Sequence, residues 1–125
     1  MILDTNAFSA LADGEPAVTE IVSKVAAVCI PVIVLGEYRF GILQSRRRTE
    51  YERWLTDYLP VFQVLNIDDR TTVPYGDIRA DLKRSGRPIP SNDVWIAALS
   101  RQHSFPLLSR DRHFDWVPGI KRVAW

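Results

Sequence analysis

Short apolar runs alternate along the chain with longer segments whose apolar residues recur at helical spacing. The strand-like runs are residues 1–4, 26–30, 61–67, 107–108 and 120–124. The helical segments are residues 7–13, 16–24, 31–44, 49–59, 69–84 and 93–102. Strands that alternate with helices favour right-handed crossovers and a mainly parallel sheet covered on both faces. We therefore predict one α/β domain over residues 1–125, a three-layer α/β/α sandwich with four or five strands.

Local signals set the expected boundaries of these elements. They are a polar turn at Thr5 and Asn6, Pro31 at the first position of a helix, a capping box from Thr49 to Glu52, and Ser91 or Asn92 as the cap of the next helix. Residues 85–90 hold one glycine and two prolines, so we expect a loop there.

Composition restricts the class of protein more than it identifies the function. Hydrophobic residues make up 46% and charged residues 25% of the chain, as in an ordinary globular domain. Cys29 is the only cysteine and lies in an apolar run, which predicts a buried thiol and favours a cytoplasmic protein. We expect neither a membrane span nor a secretory signal, because no apolar run is long enough and polar residues follow within six positions.

The net charge of +1 conceals a marked preference for arginine, with thirteen arginines against three lysines. Several basic residues are clustered, and arginine can bind phosphates through two hydrogen bonds. Arg84, Arg87, Arg110 and Arg112 are therefore candidate contacts to a phosphate backbone. A solvated surface is the simpler explanation for any single cluster.

Four acidic residues lie inside or at the ends of the most apolar segments, where a carboxylate is costly unless it is compensated. They are Asp4, Glu37, Asp93 and Asp111. In a parallel sheet, sites form at the carboxyl ends of the strands, so these distant residues can converge at one edge. The sequence therefore predicts an acidic site built from four separate segments.

Each carboxylate alone also has an ordinary structural explanation. Glu37 can lie at the border of a buried helical stripe, Asp93 can stabilise a helix start, and Asp4 and Asp111 can form turns. Together they raise a problem of repulsion, since two such charges about 4 Å apart cost roughly 4 kcal/mol at an effective dielectric near 20. The carboxylates must therefore stay apart, take up protons, or hold cations.

Oxygen ligands favour a hard ion such as Mg²⁺ or Mn²⁺ over zinc. His103 and His113 have no zinc-ligand partners at useful spacing, so we expect both to be surface or packing residues. A Mg²⁺ ion held by few carboxylates keeps several waters, which suits hydrolysis of a phosphodiester bond.

Four segments together resemble the PIN-domain ribonucleases, and more narrowly the VapC-type toxins of toxin–antitoxin pairs. They are residues 1–6 (MILDTN), 31–42 (PVIVLGEYRFGI), 89–98 (IPSNDVWIAA) and 107–114 (LLSRDRHF). The resemblance covers nearly the whole chain in order, although each segment is weak alone.

The resemblance implies a role for several residues and for partners outside the chain. Asp4, Glu37, Asp93 and Asp111 match the family's acidic quartet of metal ligands and catalytic residues. Asn6 and Ser109 match polar positions that orient the quartet, and Asp115 contributes a further carboxylate or none. The implied activity is endonucleolytic cleavage of RNA with Mg²⁺ or Mn²⁺, inhibited by a cognate antitoxin, in a protein that forms homodimers.

Three other functions remain open at this stage. A phosphatase or phosphotransferase could use Asp4 as its nucleophile, although such enzymes often carry a second aspartate where Asn6 stands. A non-catalytic interaction module of the same fold could present aromatic residues to a partner, namely Tyr51, Trp54, Tyr58, Trp116 and Trp125. DNA is also compatible with the chemistry as a substrate.

Overall fold

A computed structural model describes residues 1–125 and contains one five-stranded sheet whose strands are all parallel. The strands are β1 (Ile2–Leu3), β2 (Cys29–Pro31), β3 (Gln63–Leu65), β4 (Leu107–Leu108) and β5 (Arg122–Val123). Their spatial order is β3-β2-β1-β4-β5, so the first strand of the chain is central. Ile2 pairs with Leu107 and Leu3 with Leu108 in the β1–β4 register.

Six α-helices flank this sheet, which confirms the predicted α/β/α sandwich. They are α1 (Thr5–Ala12), α2 (Pro16–Ser23), α3 (Val32–Leu43), α4 (Arg48–Tyr58), α5 (Thr72–Arg84) and α6 (Ser91–His103). Three short 3₁₀ turns cover Leu59–Val61, Asp69–Thr71 and Arg112–Trp116. No helix is both long and apolar enough to cross a membrane.

Buried apolar residues of strands and helices form the core, which includes an aromatic cluster around Phe8. The side chains of β1 and β4 are fully buried, and Cys29 is buried as predicted. The Phe8 ring lies 4.8 Å from the ring of Tyr38, 5.5 Å from Trp54 and 5.7 Å from Phe62, measured between centroids. Helices α1, α3 and α4 are thereby joined through one buried side chain.

The sequence prediction placed two helix starts wrongly. Thr5 and Asn6 are the first residues of α1, not a turn before it, because Asp4 caps that helix with its side chain. The predicted capping box at Thr49 and Glu52 does not form. Helix α4 begins at Arg48, whose Nε donates to Oε1 of Glu52 at 2.9 Å.

The starts of α3 and α6 also differ from the prediction, and in both a proline precedes the first helical residue. Pro31 ends β2, and α3 begins at the next residue. Pro90 holds the position before α6, so neither Ser91 nor Asn92 caps that helix. The side chain of Asn92 is free for another contact.

Candidate active site

A polar pocket of about 330 Å³ opens at the carboxyl edge of the sheet. All four of the predicted carboxylates line it, together with neighbouring polar residues and one proline. The lining residues are Asp4, Thr5, Asn6, Glu37, Pro90, Asn92, Asp93 and Asp111. No lysine or arginine is among them, so their charges are not neutralised by basic side chains of the pocket wall.

Asp4 is the most buried of these acids, with 3% of its surface exposed at the end of β1. Its Oδ1 accepts a hydrogen bond from the backbone N–H of Ala7 at 2.8 Å, and its Oδ2 accepts one from the Ser109 hydroxyl at 2.5 Å. Burial raises the pKa of Asp4 to about 6, although both hydrogen bonds oppose that rise. The negative charges of Asp111 and Asp93 raise it further.

Ser109 connects two parts of the site from a fully buried position after β4. While its hydroxyl donates to Asp4, the same oxygen accepts a hydrogen bond from the backbone N–H of Asp111 at 3.0 Å. The Asp111 side chain is contacted from the other side, since Nδ2 of Asn6 lies 3.3 Å from its Oδ2. Asn6 and Ser109 therefore hold the carboxylates of Asp111 and Asp4 through hydrogen bonds.

Glu37 projects from the middle of α3 and is held by two neutral donors. The hydroxyl of Thr5 donates to its Oε2 at 3.0 Å, and Nδ2 of Asn92 donates to its Oε1 at 3.1 Å. Helices α1, α3 and α6 thus meet at this one carboxylate. Neutral hydrogen bonds fix its position and leave its negative charge in place.

Asp93 lies in the first turn of α6, where it contacts His113. Nε2 of His113 is 3.0 Å from Oδ2 of Asp93, although the ring is not oriented for a linear hydrogen bond. Burial raises the pKa of Asp93, His113 opposes the rise, and the charges of Asp111 and Glu37 add to it. His113 packs against Phe114 and Trp116, in line with the predicted packing role, and it also borders the pocket through Asp93 without lining it.

Three polar contacts of the site escaped the sequence prediction. They come from Thr5, Asn92 and His113. Thr5 and Asn92 each lie directly beside a predicted acid in the chain, and His113 lies two residues after Asp111. Proximity to the acids was the available signal, but threonine, asparagine and histidine are also common in helix starts and turns.

The structure separates Asp115 from the acidic pocket. Its carboxylate accepts two hydrogen bonds from Arg122, at 2.7 and 2.8 Å, and it does not line the cavity. Of the two alternatives left open by the sequence, this position favours the one in which Asp115 contributes no carboxylate to the pocket. Its link to the site is indirect, because Arg122 also donates to the backbone carbonyl of Ser109 at 3.0 Å.

The four candidate arginines differ in their surroundings. Arg84 forms an ion pair with Asp81, so its positive charge already has a partner within α5. Arg87, Arg110 and Arg112 form no ion pair. The guanidinium of Arg87 lies 5.5 Å from the ring centroid of Trp116, and that of Arg110 lies 5.7 Å from the ring centroid of Trp125.

The residues of the pocket fit a hydrated hard cation better than a cage made entirely of protein ligands. No group of three or more His, Cys, Asp or Glu side chains is arranged to hold one ion. Mg²⁺ commonly uses one or two carboxylates and keeps several waters. A roomy pocket lined by oxygen atoms, with two acids whose pKa values are raised, meets that requirement.

Comparison with known proteins agrees with this fold. The PIN domain family model matches residues 1–120. The VapC ribonuclease Y4jK of Sinorhizobium fredii is 32% identical over 121 residues, covering 89% of this chain and 86% of the relative. Ribonuclease VapC4 of Mycobacterium tuberculosis is 29% identical over 97 residues, covering 76% of this chain and 75% of the relative.

Solved structures extend the likeness to the whole fold. DNA-bound VapBC from Salmonella typhimurium aligns with a TM-score of 0.88 at 25% identity, over 99% of this chain and 96% of that chain. VapBC2 from Rickettsia felis, bound to a promoter DNA fragment, aligns with the same TM-score at 23% identity, over 99% and 97%. The protein belongs to the PIN-domain family and, within it, to the VapC ribonucleases.

Proposed function

We propose that the protein is a Mg²⁺- or Mn²⁺-dependent endoribonuclease, the toxin of a toxin–antitoxin pair. The observation that carries this proposal is the convergence of Asp4, Glu37, Asp93 and Asp111 on one polar pocket without lysine or arginine. Uncompensated acids of this kind are a functional arrangement, because they cost stability unless a cation is bound.

Asp4 and Asp93 are the residues that would hold the ion directly, and Glu37 and Asp111 would act mainly through water. When bound, such an ion polarises the phosphodiester and makes an attacking water more acidic. Ser109 and the backbone N–H of Ala7 hold both oxygens of Asp4 in place. Thr5 and Asn92 do the same for Glu37. This preorganisation is what the chain itself contributes to catalysis.

RNA is the proposed substrate because the relatives with the most complete coverage are named ribonucleases. A relative from Salmonella typhimurium, 27% identical over 99 residues, is named a tRNA(fMet)-specific endonuclease. That name describes the relative. For this chain, we propose cleavage of single-stranded or looped RNA, where the backbone can enter the pocket.

An antitoxin is the proposed protein partner, and a homodimer is the proposed form of the toxin. Solved neighbours of this fold are VapBC complexes, including one from Haemophilus influenzae that covers 99% of this chain at 25% identity. Binding of an antitoxin is compatible with catalysis, so the aromatic residues considered for an interaction module do not argue against a nuclease.

A phosphotransferase that uses Asp4 as nucleophile is less consistent with the geometry. Both oxygens of Asp4 accept hydrogen bonds, and the side chain is 3% exposed at the cap of α1. A nucleophile must reach the phosphorus atom with an unobstructed oxygen. The positions of its donors suit a fixed ligand better than an attacking group.

Cleavage of total cellular RNA by purified protein tests the proposal, with the new RNA ends mapped by sequencing. Asp4→Asn and Asp93→Asn should each reduce the cleavage rate at least about 100-fold, because each removes charge that positions the ion. EDTA should abolish cleavage, and Mg²⁺ or Mn²⁺ should restore it.

Asp77→Asn is the matched control, since Asp77 is an exposed carboxylate of α5 outside the pocket. It should cut RNA like the wild type. Circular dichroism must show that the two site variants remain folded. Wild-type cleavage by either of them, or cleavage that persists in EDTA, would contradict the assignment. Cleavage of DNA but not of RNA would overturn RNA as the proposed substrate.

A further inference from the structure

An exposed tryptophan and an arginine form a pair beside the acidic pocket. Trp116 lies at the end of the 3₁₀ turn Arg112–Trp116 and keeps 43% of its surface exposed. The guanidinium of Arg87 lies 5.5 Å from its ring centroid, within the range of a cation–π contact. Arg87 has no carboxylate partner, so its positive charge is available to a ligand.

The backbone around Arg87 is well anchored, although its side chain is exposed. Gly86 adopts a left-handed conformation with φ of 68° directly after α5. The N–H of Arg87 then donates to the carbonyl of Leu82 at 2.9 Å, and Pro88 follows. A fixed backbone lowers the conformational entropy that a ligand contact at Arg87 would cost.

His113 connects this pair to the proposed catalytic acids. Its ring centroid lies 6.5 Å from that of Trp116, and its Nε2 lies 3.0 Å from the Asp93 carboxylate. One imidazole ring therefore separates the indole from the acidic pocket.

The chemistry of the pair matches a nucleotide in single-stranded RNA. An indole offers a flat apolar face to any base, and a guanidinium offers paired donors to a phosphate. A base inside a duplex is already stacked on its neighbours, so it cannot use such a face. An acidic pocket also repels a phosphate backbone, which makes nearby cationic groups valuable for holding the strand.

We propose that Trp116 and Arg87 form a nucleotide-binding subsite next to the catalytic pocket. Trp116 stacks on an unpaired base of the RNA, and Arg87 binds the adjoining phosphate. The inference rests on the proposed cleavage of single-stranded or looped RNA and adds to it the two residues that bind an unpaired nucleotide. Neither residue belongs to the acidic pocket, so both are binding residues and not catalytic ones.

Binding of a short labelled uridine oligonucleotide to the Asp4→Asn protein tests the subsite, because this parent should not cut the probe. Adding Trp116→Ala should weaken binding about tenfold or more, which is the usual contribution of base stacking. Trp116→Phe should retain most of the affinity. Arg87→Ala should lower the slope of log affinity against log salt by about 0.7, the value for one phosphate contact on a single strand.

Matched controls remove an aromatic ring or a positive charge elsewhere. Tyr58 is a half-exposed aromatic residue of α4, and Arg53 is an exposed arginine of the same helix without an ion pair. Tyr58→Ala should leave binding unchanged, and Arg53→Ala should leave the salt slope unchanged. A duplex RNA probe should bind Trp116→Ala and its parent equally.

The subsite is overturned if Trp116→Ala binds the oligonucleotide like Tyr58→Ala, or if Trp116→Phe loses as much affinity as Trp116→Ala. It is also overturned if the parent fails to bind the probe while the wild-type enzyme cleaves RNA. Failure of the proposed function is a different result, namely no cleavage of RNA by the wild type with Mg²⁺ or Mn²⁺. In otherwise wild-type protein, Trp116→Ala should raise KM more than it lowers kcat.

Discussion

Asp4 shows at the scale of one residue how the site conflicts with stability. The side chain is almost fully buried, faces two other acids, and is neutralised by no basic group. Its hydrogen bonds to Ala7 and Ser109 fix the carboxylate without offsetting all of the desolvation. The ionised carboxylate of Asp4 therefore lowers the free energy of unfolding, and a cation bound beside it would raise that free energy again.

The raised pKa of Asp4 predicts a dependence of stability on pH. The folded-state pKa is about 6 and the ordinary value is 3.8, so the native state binds more protons between these values. In EDTA, the free energy of unfolding of the wild type should fall by about 2 kcal/mol relative to Asp4→Asn as pH rises from 4 to 7. Urea unfolding across this pH range measures the difference.

Asp115→Asn is a control for that experiment, because the stability of the wild type relative to this variant should depend on pH in the opposite direction. Arg122 lowers the pKa of Asp115, so its pairing favours the folded state above the ordinary pKa and the benefit is lost as pH falls. If the free energies of unfolding of the wild type and of Asp4→Asn changed with pH in parallel, ionisation of Asp4 would not destabilise the fold. Mg²⁺ should reduce the Asp4 difference at pH 7.

Helix α1 shows at the scale of an element how site and core are linked. Its cap is Asp4, its first turn contributes Thr5 and Asn6 to the pocket, and its next turn buries Phe8 in the aromatic cluster. One short helix therefore contributes side chains both to the pocket and to the core. Loss of the packing should disturb the site as well as the fold.

Phe8→Ala should lower the free energy of unfolding by about 3–5 kcal/mol, because it leaves a cavity among Tyr38, Trp54 and Phe62. Phe40→Ala is the matched control, since Phe40 is 64% exposed on α3 and should change stability by less than about 0.5 kcal/mol. Urea denaturation of both variants measures the contrast. Equal losses would mean that Phe8 is not the packing centre.

The same helix shows what could be predicted from the sequence and what could not. Apolar runs predicted all five strands, and the acids were found because carboxylates are rare in such runs. The start of α1 was missed, since Asp4 serves both as cap and as a member of the site. The false capping box at Thr49 arose because Glu52 pairs with Arg48 instead of reaching the backbone. Side-chain choices of this kind depend on tertiary contacts.

Charge is arranged at the scale of the whole molecule in a way that the net value of +1 hides. The only charged residues that line the pocket are acids, whereas the arginines that form no ion pair lie outside it. The contact between His113 and Asp93 was missed because nothing in the local sequence shows that these two residues meet. Only the sheet topology brings α6 and the segment after β4 together.

The central position of β1 has a consequence for the cell that makes this protein. Asp4 at the end of β1 is synthesised 105 residues before its partner Ser109, which follows the neighbouring strand β4. A growing chain on the ribosome therefore lacks a complete site until the segment through Asp111 has emerged. We expect nascent chains to be harmless to the RNA around them. Ribosome-arrested chains of increasing length should begin to cut RNA only beyond that point, and earlier cutting would refute this.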